Sequence, residues 1–414
     1  MVEKAIIVGL QLPESHDFEY MMQELHSLCE ACDVEVVGTI VQSLDKPTSA
    51  TYIGTGKAEE VKEAVIAMEA KMVIFDDELS PTHIRNLEKI IEAKVIDRTI
   101  LILDIFARRA RTREAMLQVE IAQCEYMLPR IIGLNRSFSR QSGGTGSKGP
   151  GEKQLELDRR VLKDRIFRLK EELKDLVSIR RTQREKRKKG DALTVAIAGY
   201  TNSGKSTLLN KMLEFSVENS EKYVFEKNML FATLETATRA ILLKNNHRFL
   251  MTDTVGFISK LPHHLIEAFK STLEEIKESS LIVHVVDASN PEHDKQIEVV
   301  ENVLRSLEVV DVPVLYVFNK VDLCSAPVTS ERHPLLSISA LTGQGMPELV
   351  KKIDEMLYSH LHRVKLLLPY DKGQIFSFLK EKANVFSSEY GNDGVLVDVE
   401  LNDYHFNLYR QYVK

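Results

Sequence analysis

The chain has 414 residues, 43% hydrophobic and 28% charged, with a formal net charge of −6 at pH 7. That length suggests roughly two to four domains, and the composition belongs to a soluble globular protein with ample core. Nothing in it suggests a membrane span, and tryptophan is absent.

Met1 to Leu10 places Glu3 early and carries only a short apolar run, which predicts no secretory signal and a cytoplasmic protein. Apolar strands at Ala5 to Leu10, Val34 to Val41 and Met72 to Phe75 alternate with helices such as Ala58 to Met68, so an α/β unit of its own is expected over 1–105. Cys29 and Cys32 fall on a predicted helix. With no second pair to complete a zinc site, they read as packed thiols. The segment Gly54-Thr-Gly-Lys57 lacks the spacing of a true phosphate loop, so a tight turn before a helix is expected rather than an adenine-nucleotide site.

A helical hairpin is expected over 106–190. Thr112 to Leu128 reads as a helix stopped by Pro129. Beyond a glycine-rich loop, Leu155, Leu162, Leu169 and Leu176 recur every seven residues with Ile166 and Leu173 between them, a heptad seam. The loop is too short for anything but antiparallel return, with the tip at 133–151. Its bare backbone, including Gly143 and Gly144, can approach RNA phosphates closely, with Arg140 and Lys148 supplying charge; a flexible linker is the plainer alternative. Arg180 to Lys189 holds seven basic residues against one acid, among them Arg180, Arg181, Arg184, Lys186 and Arg187, and Arg108 to Arg113 adds four more. Clustered cations release phosphate counterions despite the negative net charge, although a solvated helix end has the same composition.

Over 191–363 the chemistry becomes specific. The apolar strand Val195 to Ala198 runs into Gly199, Tyr200, Thr201, Asn202, Ser203, Gly204, Lys205, Ser206 and Thr207, a G-x-x-x-x-G-K-S loop followed by a helix. Such a loop turns successive N–H groups and a helix N-terminus toward a β-phosphate, sends Lys205 to the β- and γ-phosphates, and offers the Ser206 hydroxyl to Mg2+. In the polar stretch Phe231, Ala232, Thr233, Leu234 and Glu235, Thr233 is the candidate switch threonine that ligates Mg2+ only beside a γ-phosphate; Thr236 and Thr238 compete for the role. Ile241 to Leu250 reads as a hairpin with an Asn-Asn turn.

The strand Phe249 to Thr252 then delivers Asp253, Thr254, Val255 and Gly256 as D-x-x-G, with Asp253 toward the metal through water and the Gly256 N–H toward the γ-phosphate. Another strand ends in Asn319, Lys320, Val321 and Asp322. The Asp322 carboxylate can accept from guanine N1–H and its exocyclic amine, a donor pair adenine lacks, so it selects GTP and GDP over ATP. Asn319 would brace the loop and the Lys320 stem would cover the ring. Ser339 and Ala340 offer backbone N–H groups to guanine O6.

Two positions speak to mechanism. Phe257 stands where Ras-like proteins carry the glutamine that orients attacking water, so intrinsic hydrolysis is expected to be slow and the catalytic group is unknown. Asn202 sits where some GTPases use an asparagine to hold a monovalent cation, which predicts stimulation by K+; a loop-capping role fits equally.

The strings Gly143 to Arg160, Tyr52 to Lys57 and Gly199 to Ser206 resemble the HflX family of ribosome-associated GTPases over nearly the whole chain. The resemblance implies an α/β P-loop GTPase domain preceded by an α/β domain and an antiparallel helical hairpin, and a factor that binds the large ribosomal subunit and its rRNA near the peptidyl-transferase region and splits stalled or stressed ribosomes. Phe257 matches the family's hydrophobic replacement of the glutamine, whereas Lys148 and Lys153 depart from the expected Arg and Thr. Residues 364–414 resemble the small C-terminal α/β appendage of many bacterial members. A monomer is expected. The alternatives are a GTP-gated factor in large-subunit assembly and a regulatory GTPase peripherally associated with a membrane.

Overall fold

The computed structural model describes residues 3–14, 17–134, 150–189, 193–217, 230–231, 237–262, 265, 270–309, 311–326 and 336–414. Four parallel strands open the chain, β1 (Glu3–Gln11), β2 (Val34–Ser43), β3 (Met72–Phe75) and β4 (Lys94–Asp97), in the order β2-β1-β3-β4. Helices α1 (Phe18–Ala31) and α4 (Arg98–Arg109) cover one face, and α2 (Thr55–Ala67) and α3 (Pro81–Ile91) the other. Ala5 and Ile7 therefore pack with Leu25 and Phe106, while Ile6 and Val8 pack with Val61 and Leu87. Burial on both faces is why β1 reads as an unbroken apolar run rather than an alternation. Cys29 and Cys32 are buried free thiols, each pushed up to about 12 by desolvation. Gly54 caps α2, which begins at Thr55 rather than Ala58, so Thr55 to Lys57 are the first turn of the helix and not a separate turn before it, and Lys57 is paired with Glu60 at 2.6 Å.

Helices α5 (Arg113–Leu134) and α6 (Pro150–Lys189) form the hairpin arms. The pairs Arg113–Glu172 and Glu120–Arg165 link them in opposite chain order, as antiparallel helices require. Leu169 packs on Leu117 and Ile121, with Leu173 and Leu176 half-buried beside it, so the heptad seam is used in its middle. Leu157 and Val161 on the same helix are exposed. Pro129 does not stop α5, contrary to expectation. The Arg130 guanidinium lies 3.2 Å from the centroid of the Tyr126 ring, donates to Tyr126 O at 2.8 Å and Leu79 O at 2.9 Å, and so anchors the turn that the missing proline N–H weakens. Arg108 and Arg113, read as nucleic-acid cations, are engaged by Asp33 and Glu172.

Next come β5 (Leu193–Gly199), α7 (Lys205–Glu214), β6 (Ala237–Leu242), β7 (Arg248–Asp253), α8 (Lys270–Lys277), β8 (Leu281–Asp287), α9 (His293–Ser306), β9 (Val314–Asn319) and α10 (Met346–Tyr358). The sheet order is β6-β7-β5-β8-β9, with β6 the antiparallel edge joined to β7 by the Asn245–Asn246 turn. Strand order reverses around β5, which places the loop after Gly199 in the crevice beyond the carboxyl ends of the strands, where such sheets bind ligands. Finally β10 (Leu361–Leu368), α11 (Gly373–Lys382), β11 (Asn384–Gly391), β12 (Gly394–Asn402) and α12 (Asp403–Tyr409) build a three-stranded antiparallel sheet with its own core around Leu366, Leu379 and Val397.

The first unit and the GTP-loop unit are not separated by water. One apolar cluster runs from Leu25, Ile105 and Phe106 through Phe231, Val255, Phe257 and Ile258 to Ala196 and Val300. Among the described residues, no helix is long and apolar enough to cross a membrane, and no cluster of three or more His, Cys, Asp or Glu side chains is placed to hold a metal ion.

Candidate nucleotide site

The phosphate loop is fixed before any ligand arrives. Asn202 is exposed at φ 60° and Gly204 has φ 93°, two left-handed turns that curl the chain onto the first turn of α7. Lys205 is 6% exposed and its ammonium donates to Gly199 O at 3.1 Å and Tyr200 O at 2.6 Å. Burial pushes its pKa down to about 8, opposed by Asp253 and helped by the like charge of Lys320. A buried ammonium bonded, among the described residues, to carbonyl oxygens is a strong receptor for phosphate, whose charge favours the ammonium's own. Ser206 donates its hydroxyl to Asp253 Oδ2 at 2.6 Å. Asp253 is fully buried at the end of β7, so a hydroxyl and a carboxylate oxygen meet beside the loop, the hard-oxygen donor set that suits Mg2+.

The segment after D-x-x-G lies against the phosphate loop. Thr201 N donates to Phe257 O at 2.7 Å and Phe257 N to Gly199 O at 3.2 Å, extending the sheet by one bridge. Gly256 is consequently so close that a Cβ there would lie 2.8 Å from Thr201 Cα and 2.9 Å from Lys205 Nζ. Phe257 is 1% exposed and packs in the shared core. Thr254 is pinned through its hydroxyl to Ile197 O at 2.7 Å, and Val255 is buried in that same core.

The base end is organised by one amide. Asn319 Nδ2 donates to Ser203 O at 2.9 Å, and its Oδ1 accepts from Ala340 N at 2.9 Å, joining the phosphate loop to the Ser339–Ala340 segment. Lys320 adopts φ 65° and its ammonium meets Asp287 Oδ2 at 2.7 Å. Val321 and Asp322 lie in the short turn Val321–Leu323, with Asp322 exposed. The Ser339 and Ala340 N–H groups, expected to face a base, are spent within the protein, on Gln344 O and Asn319 Oδ1. Reaching guanine O6 requires exchanging those bonds.

Phe231 N donates to the Thr201 hydroxyl at 2.8 Å, and its ring meets Phe106 edge-on at 4.6 Å. Ala232, Thr233, Leu234, Glu235 and Thr236 lie outside the described residues, as do Arg140, Gly143, Gly144 and Lys148 of the tip; Thr238 instead sits in β6, hydroxyl to hydroxyl with Thr252 at 2.9 Å. Arg180, Arg181, Arg184, Lys186 and Arg187 fall on the described course of α6, with their side chains outside it.

Sequence reasoning missed the contacts that tie this site to the first unit. The Tyr200 hydroxyl bonds Glu24 on α1 and meets Ser259 Oγ at 2.6 Å, while Ser259 N donates back to it at 2.7 Å. Arg98 is buried, binding Glu24, Asp76 at 2.7 Å and Ser259 O at 3.1 Å; Lys260 reaches Asp76 and, at 2.6 Å, Asp77. Burial opposes the Arg98 charge, yet Glu24 and Asp76 more than offset it and hold its pKa above the ordinary value. Burial pushes Glu24 up, with Arg98 and Tyr200 pulling the other way. In a sequence these residues are ordinary helix and loop polars; only the doubled run of acids at Asp76 and Asp77, closing an apolar strand, hints at a partner.

Known proteins bear on the same residues. Four family models match in series: GTP-binding GTPase N-terminal over 19–107, GTP-binding GTPase middle region over 109–187, 50S ribosome-binding GTPase over 194–320, and HflX C-terminal domain over 327–411. The chain is 43% identical to a GTPase HflX of Caldanaerobacter subterraneus subsp. tengcongensis over 399 residues, 96% of this chain and 91% of that one. It is 40% identical to a GTPase HflX of Escherichia coli K12, over 91% of this chain and 88% of the other. Among solved structures, a GTP-binding protein of Sulfolobus solfataricus in complex with GDP is 24% identical, with a TM-score of 0.43 over 86% of this chain and 98% of that one.

Proposed function

Because the chain belongs to the HflX family of GTPases, we propose that it is a GTP-hydrolysing factor that binds the large ribosomal subunit and splits or rescues stalled or stressed ribosomes. The GTPase activity follows from the family; the ribosomal role is supported by the match of 194–320 to a 50S ribosome-binding GTPase model. The observation that carries the reading is mechanical. Tyr200 of the phosphate loop, Phe231 and the Phe257–Lys260 segment all contact the first unit, through Glu24, Phe106, and Arg98 with Asp76. That unit is in turn fixed to the hairpin, since Asp97 at the end of β4 receives Tyr126 and Arg130 of α5. A rearrangement at the γ-phosphate thus has a buried, charged path to the arms that would grip rRNA.

In this reading Gly199 to Thr207 hold the phosphates, Asp322 reads guanine, and Asn319 and Lys320 brace the base. Ser206, with Thr233 once GTP is present, would ligate Mg2+ while Asp253 would hold its water; the ion would supply charge neutralisation to the phosphates. Asn202, exposed at the loop edge, would help hold K+. Arg140, Gly143, Gly144 and Lys148 at the tip, and Arg180, Arg181, Arg184, Lys186 and Arg187 on α6, would meet rRNA phosphates, with the protein acting as a cytoplasmic monomer. Pelleting the chain with purified large subunits, with a GTP analogue against GDP and across a salt series, tests this: GTP-preferring, salt-sensitive association is expected. Equal binding with both nucleotides removes the proposal, and release of free subunits from intact ribosomes separates splitting from a role in assembly.

A further inference from the structure

The guanine-binding motif ends at Asp322, yet the structure extends the base site to a residue on a different strand. We propose that Asp287 is a positioning residue for guanine-nucleotide binding: its carboxylate anchors the Lys320 ammonium so that the lysine stem stands as a preset wall for the purine ring. The inference rests on the guanine pocket read above.

Asp287 closes β8 directly opposite Asn319 in the β8–β9 ladder, and Ala288 N donates to Asn319 O at 2.8 Å. Its carboxylate is held from two sides. Oδ1 accepts from Ser289 N at 3.0 Å and from the Ser289 hydroxyl at 2.6 Å, and Oδ2 faces the Lys320 ammonium at 2.7 Å. Both partners are sheltered, with side chains 22% exposed at Lys320 and 16% at Asp287. Lys320 itself sits at φ 65°, a conformation an L-residue adopts only when its surroundings impose it, so backbone and side chain are both constrained.

The chemistry explains why such an anchor is useful. A lysine stem has four rotatable carbons, and an unanchored one must be ordered when a ring stacks on it. Its head is also a mobile charge. Lys320 lies near enough to Lys205 for its charge to oppose that of the phosphate-loop lysine. Without Asp287 the free ammonium is drawn toward the phosphates, leaving the ring face uncovered. Asp287 does the ordering beforehand and keeps the charge at the base end.

The test is a binding cycle on the full chain with fluorescently labelled GDP and a labelled GTP analogue, since tryptophan is absent. Asp287→Asn is expected to raise Kd for both nucleotides alike, by about tenfold, and the KM for GTP with it, while kcat moves by less than about twofold. Lys320→Met should show a similar loss, and the double variant should be no worse than Lys320→Met alone. Should Asp287→Asn fold poorly, Ser289→Ala loosens the carboxylate without removing it, and about threefold weaker binding is expected. Wild-type affinity in Asp287→Asn or, where that variant does not fold, in Ser289→Ala, or losses that simply add in the double variant, overturns the proposal. Asp322→Asn runs in the same titration. If it keeps its preference for guanine over xanthine, the pocket reading itself fails; if it switches while Asp287→Asn binds normally, only the anchor is lost.

Discussion

The hydroxyl of Tyr200, the residue after the first phosphate-loop glycine, bonds the carboxylate of Glu24, a buried acid on the first helix of the chain. A loop built to sense phosphate is thereby joined to a residue 176 positions away, and Ser259 beyond D-x-x-G shares the same hydroxyl. Tyr200→Phe keeps the ring in the shared core and leaves Glu24 and Ser259 short of a partner, at a cost of about 1–3 kcal/mol for a buried group left unsatisfied. The melting temperature in the absence of nucleotide should fall by several degrees. Nucleotide-dependent protection of residues near Glu24 and Arg98 from amide exchange should also weaken. A variant that melts and exchanges like the parent would show that the hydroxyl couples nothing.

Phe257 occupies the position from which a glutamine would orient water, but its ring is committed to the core shared by the two units. Restoring the Ras-like residue should therefore not restore Ras-like chemistry. Phe257→Gln buries an amide in an apolar cluster and removes aromatic packing, costing about 3 kcal/mol or more. The expected outcome is a less stable protein with single-turnover hydrolysis no faster than the parent. Faster hydrolysis at unchanged melting temperature would mean that the 257 side chain faces the nucleotide during turnover.

How much of this was readable beforehand follows from where each signal resides. The strands delivering Gly199, Asp253 and Asn319 announce themselves because a strand buried on both faces must be apolar throughout, and each ends in residues that an apolar strand cannot use. The fourth strand, Lys94–Asp97, opens on a lysine and closes on an aspartate, leaving only Val95 and Ile96 as an apolar run, and Pro129 misled because its cost is offset by Arg130, which stacks on Tyr126 one turn back and bonds Leu79 O, a contact distant in sequence. Glu24, Arg98 and Asp287 were invisible for a related reason: a lone charge on an amphipathic helix or at a strand end reads as solvated, and only the fold reveals a partner. The bonds that the Ser339 and Ala340 amides make within the protein were equally illegible, because hydrogen-bond competition inside a loop leaves no trace in residue types.

Asn202 projects from the phosphate loop in a left-handed turn and is exposed. If its amide oxygen helps hold a monovalent cation against the phosphates, turnover should rise several-fold in KCl over NaCl at equal ionic strength. Asn202→Ala should then lose that difference while binding GDP normally. Identical rates in both salts assign Asn202 to capping the loop.

Asp322 is exposed on its turn, in keeping with a carboxylate presented to a ligand. Replacing it by asparagine exchanges an acceptor pair for one acceptor and one donor, which still serves N1–H but sets a donor against the exocyclic amine of guanine and suits the carbonyl that xanthine carries there. A site built to bond a group rejects the analogue lacking it by about 10⁴- to 10⁵-fold at best, so a loss of guanine affinity of about 10²-fold or more with gained xanthine affinity is expected in a competition assay.

His247, at the β6–β7 hairpin, joins the GTPase unit to the C-terminal sheet. Its Nδ1 meets Asp354 Oδ1 at 2.5 Å and its Nε2 meets Glu400 Oε2 at 2.6 Å, and the ring stacks on Tyr358 at 3.8 Å. Carboxylates only accept, so both ring nitrogens must carry protons and the imidazole is charged. Burial works against that charge, but the bonds to Asp354 and Glu400 outweigh it and raise the pKa above the ordinary value; Tyr358, pushed up to about 12 by burial, stays neutral throughout. A raised folded pKa fixes the sign: the stabilisation is fully present below the unfolded value of about 6.5 and is lost as pH rises through the folded value. Asn245 and Asn384, which complete the cluster by bonding Asp354 and Glu400, do not titrate. Docking of the C-terminal unit should therefore weaken as pH rises above about 6.5, seen as earlier protease cleavage near residue 360 and a lower melting temperature. His247→Gln should be less stable at the acidic end and nearly flat across that window; a variant that retains the parent's pH slope would place the titrating group elsewhere.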